Sequence, residues 1–389
     1  MSGKKLLLPI LLAAAVLDVQ AQSGRFSCAT MNVDGLPPKV DINYGLGHYT
    51  IEVNPDGRED VGARAIGTKM AAMALDFIGV NEDFNYHKAL MEPLAPAGYE
   101  AYTHKGGMSV SEAGGLIVAV GNYLGKRPLV RADGLNLICR THADDGGPMT
   151  RAADEDIVAW KDAYGYTEAN HDNDALTTKG FRYYRVTTGT AGNTCDIDVY
   201  ILHMDAGSGW KDGDDGDILA REKQMAQLLG HIRQKVSTRP LIIMGDFNSY
   251  YTRDRLKELL IDPIESINDG QLRVCDCWVD ASCGGVYPDY DLATYGYYSQ
   301  RGESIDKILY VNNAQSDVQL VMESFKIADD FVSDDGSPLS DHKPAVARFA
   351  YYSGPVSVGT LSRTIRDVQT GRAHKEDLDR EVQSVLEGQ

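Results

Sequence analysis

The segment "LIIMGDFNSYYTRD", at 241–254, runs an apolar strand directly into a carboxylate and a carboxamide. Side chains alternate faces along a strand, so Asp246 and Asn248 are predicted to share one face while Phe247 points into the opposite layer. A carboxylate and a carboxamide side by side at a strand end can act on one bound group. The alternative is a simple turn, because Asp and Asn often end strands by hydrogen-bonding to their own backbone.

Five further stretches have the same form, a strand that ends in polar side chains. They are "TMNVDG" at Asn32, "IGVNEDF" at Glu82, "YILHMDAG" at His203 and Asp205, "ESIDKIL" at Asp306, and "LSDHKP" at Asp341 and His342. Each alone has an ordinary structural explanation, such as a turn, a solvated carboxylate or a hydrogen-bonded core histidine. Six such strand ends in one chain favour a shared site over six coincidences.

In this order the stretches resemble the endonuclease/exonuclease/phosphatase superfamily, which includes pancreatic-type deoxyribonuclease, abasic-site endonucleases, inositol polyphosphate 5-phosphatases and bacterial or neutral sphingomyelinases. The resemblance covers about residues 26 to 350, and "GDFN" and "SDHKP" are its specific motifs. It implies an α+β fold, a four-layered α/β sandwich of two packed mixed β-sheets flanked by helices. It also implies a catalytic domain over 22–350 that hydrolyses a phosphoester by in-line attack of water.

The resemblance further implies a divalent cation. Hard ions such as Mg²⁺ prefer oxygen ligands and keep several waters, and they neutralise both the phosphate and the departing alkoxide. By resemblance Glu82 is the metal ligand, with Asn32 beside it on the metal or on a phosphate oxygen. Asp341 binds a second ion or supports the first. Mg²⁺ is the expected cofactor, with Mn²⁺ or Ca²⁺ as alternatives.

The remaining polar groups receive catalytic roles from the same resemblance. His342 polarises the attacking water or clamps the phosphate, and Asp306 fixes the tautomer of His342. Asp246 orients the nucleophile, and the division of the base role between Asp246 and His342 stays open. Asn248 donates hydrogen bonds to a nonbridging oxygen as charge develops. The expected phosphate-binding residues are Asn32, Asn248 and His342.

His203 is expected, by resemblance, to protonate the leaving oxygen. A histidine does this in the deoxyribonuclease and sphingomyelinase branches, whereas the abasic-site branch has a tyrosine there. Asp205 either orients His203 or starts the next loop. The chain departs from the family at Asn81, which precedes Glu82 where the family usually has glutamine; Asn81 offers similar hydrogen bonds with a shorter reach.

The net charge of the chain helps to distinguish between the candidate substrates. The net charge of −18 repels polyanions over the surface as a whole, which argues against avid nucleic-acid binding. A secreted deoxyribonuclease-like enzyme would need a local basic groove, for which the candidates are Arg182, Arg185, Arg253 and Arg255. An inositol-phosphate phosphatase would need a denser basic pocket than the sequence assembles, and an inactive binding protein is a further alternative. The first hypothesis is a sphingomyelinase C-like hydrolase of phospholipid headgroups, a monomer acting at a membrane surface.

Residues 1–21, "MSGKKLLLPILLAAAVLDVQA", have the form of a secretory signal peptide. The start is basic, the apolar run is too short to span a bilayer, and small residues suit cleavage after Ala21. We therefore expect a secreted or periplasmic protein with an export signal of the bacterial type. Six cysteines follow in the exported part, at Cys28, Cys139, Cys195, Cys275, Cys277 and Cys283. Disulfides or free thiols are favoured over a zinc site there, and the pairing stays open.

Apolar segments that alternate with helical stretches indicate the elements that position these residues. The predicted strands are "RFSCATMNV", "DFIGVNE", "GGLIVAV", "YYRVTTG", "CDIDVYILHMD", "PLIIMGDFN", "SIDKILYVNN" and "PAVARFAYY". Helices are predicted at 61–75 and 219–236. The polar stretch 122–179 reads as an insertion of loops and short helices, and 284–300 as a Tyr-rich segment that either packs as a hairpin or contacts substrate. Residues 351–389 are predicted to form a linker and a helical hairpin.

Overall fold

The computed structural model describes residues 22–44, 47–52, 54–102, 133–141, 149–161, 174, 178–190, 192–207, 215–291 and 302–353. Its strands are β1 (Gln22–Asn32), β2 (Lys39–Tyr44), β3 (Gly47–Glu52), β4 (Phe77–Asn81), β5 (Tyr99–Tyr102), β6 (Asn136–Arg140), β7 (Arg151–Ala159), β8 (Gly180–Thr190), β9 (Asn193–His203), β10 (Leu241–Asp246), β11 (Leu272–Asp276), β12 (Asp306–Asn313), β13 (Val318–Ile327) and β14 (Ala345–Ser353). Its α-helices are α1 (Glu59–Met73), α2 (His87–Leu94), α3 (Asp215–Lys235), α4 (Tyr251–Asp254), α5 (Asp262–Glu265) and α6 (Cys277–Cys283). Single turns of 3₁₀ or π geometry lie at Ala95–Ala97, Lys257–Ile261 and Ile267–Gly270.

The described strands form two six-stranded sheets and one separate hairpin. Sheet 1 has the order β13-β14-β1-β4-β6-β5, sheet 2 has the order β11-β12-β10-β9-β8-β7, and β2 pairs with β3. One central pair in each large sheet is parallel, β1 with β4 and β9 with β10. The other neighbours are antiparallel, so both sheets are mixed. Parallel strands end at the same edge of a sheet, which brings the polar residues that follow them together.

Sheets 1 and 2 pack face to face through an apolar core. Phe26 and Phe77 of sheet 1 lie in one cluster with Val199, Ile242 and Met244 of sheet 2. The rings of Phe26 and Phe77 are stacked, with centroids 5.7 Å apart. Every second residue of each central strand therefore faces the other sheet, as the pleat requires.

Helices cover the two outer faces. Ile66 of α1 and Leu90 of α2 pack on Met31 and Val80, which lie on the outer face of sheet 1. On the outer face of sheet 2, α3 packs through a second apolar cluster that includes Leu228. The prediction of a four-layered α/β sandwich, two packed mixed β-sheets flanked by helices, is confirmed.

Four of the cysteines belong to the core between the sheets. Cys28, Cys139, Cys195 and Cys277 are buried there as free thiols. Burial raises the pKa of Cys139 and of Cys195 to about 12. Since the thiolate is the form that attacks and binds metals, these residues pack as small apolar side chains.

The prediction that 122–179 holds loops and short helices is wrong for two segments. β6 pairs with β4 and β5 inside sheet 1, and β7 pairs with β8 at the edge of sheet 2. Leu137 and Ile138 of β6 are buried in different layers, so this five-residue strand shows no polar alternation that could have predicted it. β7 is an edge strand on which Ile157 is exposed, so its alternation of apolar and polar residues is a weak indication of a strand.

Other predictions fall wholly or partly outside the described residues. These are the signal peptide at 1–21, the strand at 114–120 and the C-terminal hairpin, although β14 continues to Ser353, past the predicted boundary at 350. In the Tyr-rich segment, Tyr287 packs, with its ring centroid 5.2 Å from that of Tyr251, whereas Tyr290 is 50% exposed. In the part of the chain that the structure describes, no helix combines the length and apolar character needed to cross a membrane.

Candidate active site

Three of the predicted catalytic residues lie side by side at one edge of sheet 2. His203 ends β9, Asp246 ends β10 and Asp306 begins β12. The parallel register pairs Asp246 with His203, and the antiparallel register pairs it with Asp306. Ile242 and Met244 face the inner core, so the alternation along β10 also directs Asp246 to the side that faces sheet 1.

Gly245 allows this close alignment of β9 and β10. Its φ is +144°, and a Cβ at this position would lie 2.0 Å from the carbonyl oxygen of Leu202. A side chain here would push apart the two strands that carry His203 and Asp246. The glycine of "GDFN" is therefore a requirement of the strand pairing itself.

We expect Gly245→Ala to destabilise the fold by more than about 2 kcal/mol, because the added methyl meets backbone that cannot rotate away. Gly230→Ala is the matched control: Gly230 lies inside α3 and has open space around its Cβ position. That change is expected to stabilise the fold by about 0.5–1 kcal/mol through helix propensity. Thermal unfolding midpoints measure both, and a Gly245→Ala midpoint equal to that of the wild type would contradict the steric argument.

Asp246 lies between two histidines. Its Oδ2 is 3.4 Å from Nε2 of His203 and 3.7 Å from Nε2 of His342. Burial by itself raises the pKa of Asp246, but the charges of His342, His203 and Lys179 hold that pKa well below its ordinary value. Asp246 is therefore an ionised acceptor, almost fully buried, at the centre of the cluster.

His342 is held by the second carboxylate of the edge. Its Nδ1 lies 2.6 Å from Oδ2 of Asp306, so Nε2 is the nitrogen that faces Asp246. Burial by itself lowers the pKa of His342, but Asp306 and Asp246 raise it well above its ordinary value. The imidazole is thus positively charged at neutral pH and fixed in orientation.

Sheet 1 contributes the amide and carboxylate that complete the cluster. Asn32 ends β1, and its Nδ2 donates to Oε1 of Glu82 at 2.9 Å and to Oδ2 of Asp246 at 3.4 Å. Oε1 of Glu82 also lies 3.9 Å from Nε2 of His203. Six predicted site residues therefore converge where the two sheets meet: Asn32, Glu82, His203, Asp246, Asp306 and His342.

The loop after β4 holds Glu82 in a left-handed conformation, with φ of +57°. Gly35 N donates to the carbonyl oxygen of Glu82 at 3.1 Å, and Val33 N donates to that of Asn81 at 2.9 Å. A Cβ on Gly35 would lie 2.1 Å from the Glu82 oxygen, so only glycine fits there. Such strain in a non-glycine residue is typical of functional sites.

Asn248 fits both interpretations of "LIIMGDFNSYYTRD", a turn and a shared functional face. Its backbone N donates to Oδ1 of Asp246 at 2.9 Å, which is the turn predicted for such a sequence. Its Nδ2 donates to the carbonyl oxygen of Met204 at 3.1 Å, and Phe247 is buried in the opposite layer as predicted. The turn thereby places the carboxamide of Asn248 beside the strand end of His203.

Asp341 differs from its neighbours in exposure. Its side chain is 75% exposed, and its Oδ1 lies 4.0 Å from Nε2 of His342. The buried residue of this loop is Ser340, whose Oγ donates to the carbonyl oxygen of Asn32 at 2.8 Å and accepts from His342 N at 3.0 Å. The structure thus joins the His342 loop to β1 through Ser340, which the sequence analysis had not singled out.

Two further predictions concern neighbours of the site. Within the described part of the chain, the buried Nδ1 of His203 has no hydrogen-bond partner. The backbone N of Asp205 donates to Oε1 of Gln224 at 2.9 Å, which ties the start of this loop to α3. Nδ2 of Asn81 donates across to the carbonyl oxygen of Leu202 at 2.6 Å, so this side chain ties sheet 1 to sheet 2.

Lys179 and Asp34 are parts of the site that sequence reasoning missed. Lys179 is buried, with Nζ 2.7 Å from Oδ1 of Asp174 and 3.4 Å from the carbonyl oxygen of Met204. Asp34 stands two residues after Asn32 in the quoted "TMNVDG". Asp34 could have been found from its place in that motif. Lys179 could not, because it lies in a polar stretch without periodicity or motif.

The donor set fits a hard divalent cation. Among the described residues, the carboxylates of Asp34, Glu82, Asp246, Asp306 and Asp341 gather around His203, His342 and Lys179. Burial raises the pKa of Asp34 to about 7, and the negative charges of Asp341 and Glu82 add to this rise. A cation held by oxygen ligands offsets such negative charge.

The geometry favours the Glu82 side of the cluster for that cation. Ligand atoms of Asp246, Asp306 and His342 also lie within 4.8 Å of one another. However, the bond to Asp306 occupies Nδ1 of His342, and Oδ2 of Asp246 already faces both histidines. The partly exposed side chain of Glu82 offers carboxylate oxygens beside this group, with Asn32 as its neighbour.

Comparisons with known proteins agree with this architecture. The Endonuclease/Exonuclease/phosphatase family matches residues 29–342. Sphingomyelinases of Mycobacterium bovis and Mycobacterium tuberculosis are 27% identical over 337 residues, which is 86% of this chain and 55% of theirs. The chain thus spans about half the length of the curated relatives it matches.

Two solved structures show more distant likeness. Staphylococcus aureus beta toxin is 15% identical, with a TM-score of 0.48, 83% of this chain covered and 99% of that one. The human Nocturnin catalytic domain with bound sulfate is 14% identical, with a TM-score of 0.49 and coverage of 86% and 98%. The family match spans most of the chain and contains the whole cluster from Asn32 to His342, and the chain therefore belongs to the endonuclease/exonuclease/phosphatase family.

Proposed function

We propose that the protein is a divalent-metal-dependent phosphodiesterase that hydrolyses a phospholipid headgroup, in the manner of a sphingomyelinase C. The observation that carries the proposal is the convergence of two histidines, His203 and His342, on the single carboxylate of Asp246. One imidazole can face the phosphate and the attacking water while the other faces the leaving oxygen. The metal ligands, in this proposal, are Glu82 and Asn32, with Asp341 as a supporting carboxylate.

The proposed chemistry begins with the phosphate held in place. When bound at Glu82, the cation supplies positive charge to the phosphate oxygens and to the departing alkoxide. His342, charged and fixed by Asp306, donates from Nε2 to the phosphate. The second proton of the Asn248 amide donates to a nonbridging oxygen, where negative charge increases in the transition state.

Asp246 acts in the attack of water, and His203 beside it acts in the departure of the alkoxide. The ionised Asp246 accepts a hydrogen bond from the water, holds it in line with the bond that breaks and takes its proton as the new P–O bond forms. His203 donates a proton from Nε2 to the leaving oxygen as the old P–O bond breaks, and Nε2 regains a proton from Asp246, whose Oδ2 lies 3.4 Å away. We therefore assign contact with the water to Asp246, and contact with the phosphate to His342, which is already protonated.

The lipid substrate is supported by the mycobacterial relatives, which are named sphingomyelinases. Export through the proposed signal peptide at 1–21 would bring a monomeric enzyme to phospholipid at a membrane surface. The net charge of −18 is compatible with a zwitterionic headgroup and unfavourable for a polyanion.

Three of the four arginines that were candidates for a nuclease groove have carboxylate partners in the structure. Nε of Arg182 lies 2.8 Å from Oδ2 of Asp133, and Nε of Arg253 lies 2.7 Å from Oδ2 of Asp254. Both arginines are buried, and Arg255 pairs with Glu258 at the surface. These contacts argue against a phosphate-binding groove built from them.

The test is hydrolysis by residues 22–389 of sphingomyelin vesicles and of duplex DNA in parallel, each with Mg²⁺ and with chelator. We expect phosphocholine release that requires Mg²⁺ and that falls at least 10²-fold in His342→Ala, because a positioned acid–base group contributes about that much. Cleavage of DNA alone would replace the proposal with a nuclease. If neither substrate is hydrolysed, the proposal of a lipid hydrolase is overturned.

A further inference from the structure

Three buried charged residues lie directly behind the strand ends that carry His203 and Asn248. Arg221 of α3 is fully buried, and Arg253 and Asp254 of α4 are 6% and 2% exposed. Nε and Nη2 of Arg221 donate to Oδ1 of Asp254 at 3.0 and 2.8 Å, and Nε of Arg253 donates to Oδ2 at 2.7 Å. We call Arg221, Asp254 and Arg253 the buried triad.

The other donors of the buried triad reach the backbone of the two catalytic loops. Nη2 of Arg253 donates to the carbonyl oxygen of Asn248. Nη1 of Arg221 donates to the carbonyl oxygen of Asp205 at 3.1 Å, two residues after His203. One network thus holds the loop after β9 and the loop after β10.

Stability alone is a poor explanation for the buried triad. Taking charged groups out of water costs several kcal/mol per ion, and well-packed apolar residues in such places are often as stable or more so. Asn248, in contrast, needs to be held: its φ is +48°, in the left-handed region. The triad therefore secures a conformation that the local sequence does not favour.

We propose that Arg253 and Arg221 are positioning residues, which set the carboxamide of Asn248 and the loop of His203 relative to the scissile phosphate. The inference rests on the proposed function and deepens it. Neither arginine reaches the reacting atoms, since both act through the backbone carbonyls of Asn248 and Asp205. Displacement of about 1 Å in such a group can cost about 10²-fold in rate.

Arg253→Met separates positioning from structural support. Methionine keeps much of the side-chain volume, and Asp254 keeps the two hydrogen bonds from Arg221, so the fold should keep its thermal midpoint. The carbonyl oxygen of Asn248 loses its donor. We expect kcat for bis(p-nitrophenyl) phosphate with Mg²⁺ to fall about 10- to 10²-fold, with KM changed less than twofold.

Arg239→Met is the matched control, because Arg239 precedes β10 and so lies at the opposite end of that strand from Asp246. Nε of Arg239 donates to Asp198 at 2.9 Å, and this buried aspartate also accepts from Tyr183 Oη and Ser237 Oγ, both at 2.9 Å. Each substitution therefore removes one arginine from a buried aspartate that keeps other donors. Arg239→Met is expected to leave kcat and KM unchanged.

A second readout does not depend on turnover. In the full chain labelled with ¹⁵N-asparagine, the side-chain amide of Asn248 can be assigned from the signals lost in Asn248→Asp. We expect these signals to shift and to exchange faster with water in Arg253→Met, and to stay in place in Arg239→Met. If the wild type does not cleave the diester, the proposed function fails on this substrate and these spectra alone decide the positioning inference.

The inference is overturned if Arg253→Met keeps both the wild-type kcat and the Asn248 signals, whatever its thermal midpoint. Should Arg253→Met fail to fold, Arg253→Lys replaces it. Lysine keeps the positive charge, but its single nitrogen cannot reproduce the fixed geometry of Nε and Nη2, which donate separately to Asp254 and to the Asn248 carbonyl. A lysine variant with wild-type kcat and unshifted Asn248 signals likewise overturns the inference.

Discussion

Replacement of Asp246 by asparagine is expected to lower kcat for the phosphodiester substrate by about 10²–10⁴-fold. The amide keeps the size of the carboxylate and an oxygen for the backbone N of Asn248, which now lies 2.9 Å from Oδ1. What it loses is the negative charge between His203 and His342. Without it, each imidazole loses the carboxylate nearest its Nε2, and no ionised acceptor holds the water.

Asp76→Asn is the control for this prediction. Asp76 is also a buried aspartate, and it accepts hydrogen bonds from N and Oγ of Ser27 at 2.6 and 2.9 Å. It precedes β4, whereas Glu82 follows that strand, so it lies at the opposite end of the sandwich. Initial rates per folded enzyme measure both variants. Equal loss in both, or an active Asp246→Asn, would refute the central role of Asp246.

Glu82→Gln is expected to raise the Mg²⁺ concentration for half-maximal activity by more than tenfold. Glutamine can still accept from Nδ2 of Asn32, now at 2.9 Å, but it carries no charge for the cation. A Mg²⁺ titration of the hydrolysis rate measures the shift. Calorimetric titration of the protein with Mg²⁺, without substrate, should show the same loss of affinity.

Glu92→Gln is the matched control, since Glu92 is exposed and paired with Arg64 at 2.8 Å, away from the cluster. Its half-maximal Mg²⁺ concentration should equal that of the wild type. If Glu82→Gln also keeps the wild-type value, the cation binds elsewhere, and the group of Asp246, Asp306 and His342 becomes the first alternative.

Much of the site could be predicted because strand ends obey simple geometry. The alternation along β10 correctly separated Phe247 from Asp246, and the family resemblance brought His203, Asp306 and Asn32 to the same place. These predictions depend on local pattern and on strand order, which a short motif can carry. The chemical roles of these residues stay predictions until the substitutions above are made.

What the sequence could not predict depends on contacts between distant segments. Lys179 can be buried because Asp174 balances its charge and the carbonyl oxygen of Met204 accepts a hydrogen bond from it. Nothing in the polar sequence around Lys179 indicates these contacts. β6 was missed because its burial comes from β4, β5 and the second sheet. Likewise, Arg253 appeared as a possible nucleic-acid contact until the structure placed it against Asp254.

The pairing of β1 with β14 has a consequence for how activity first arises. Ser340 and Asn32 are in hydrogen-bond contact although 308 positions separate them, and Ser27 of the first strand lies opposite Arg348 of the last. Contacts of such long sequence separation form late, because the intervening chain must first be ordered. A chain still being synthesised therefore cannot assemble this centre until the segment that forms β14 has been released.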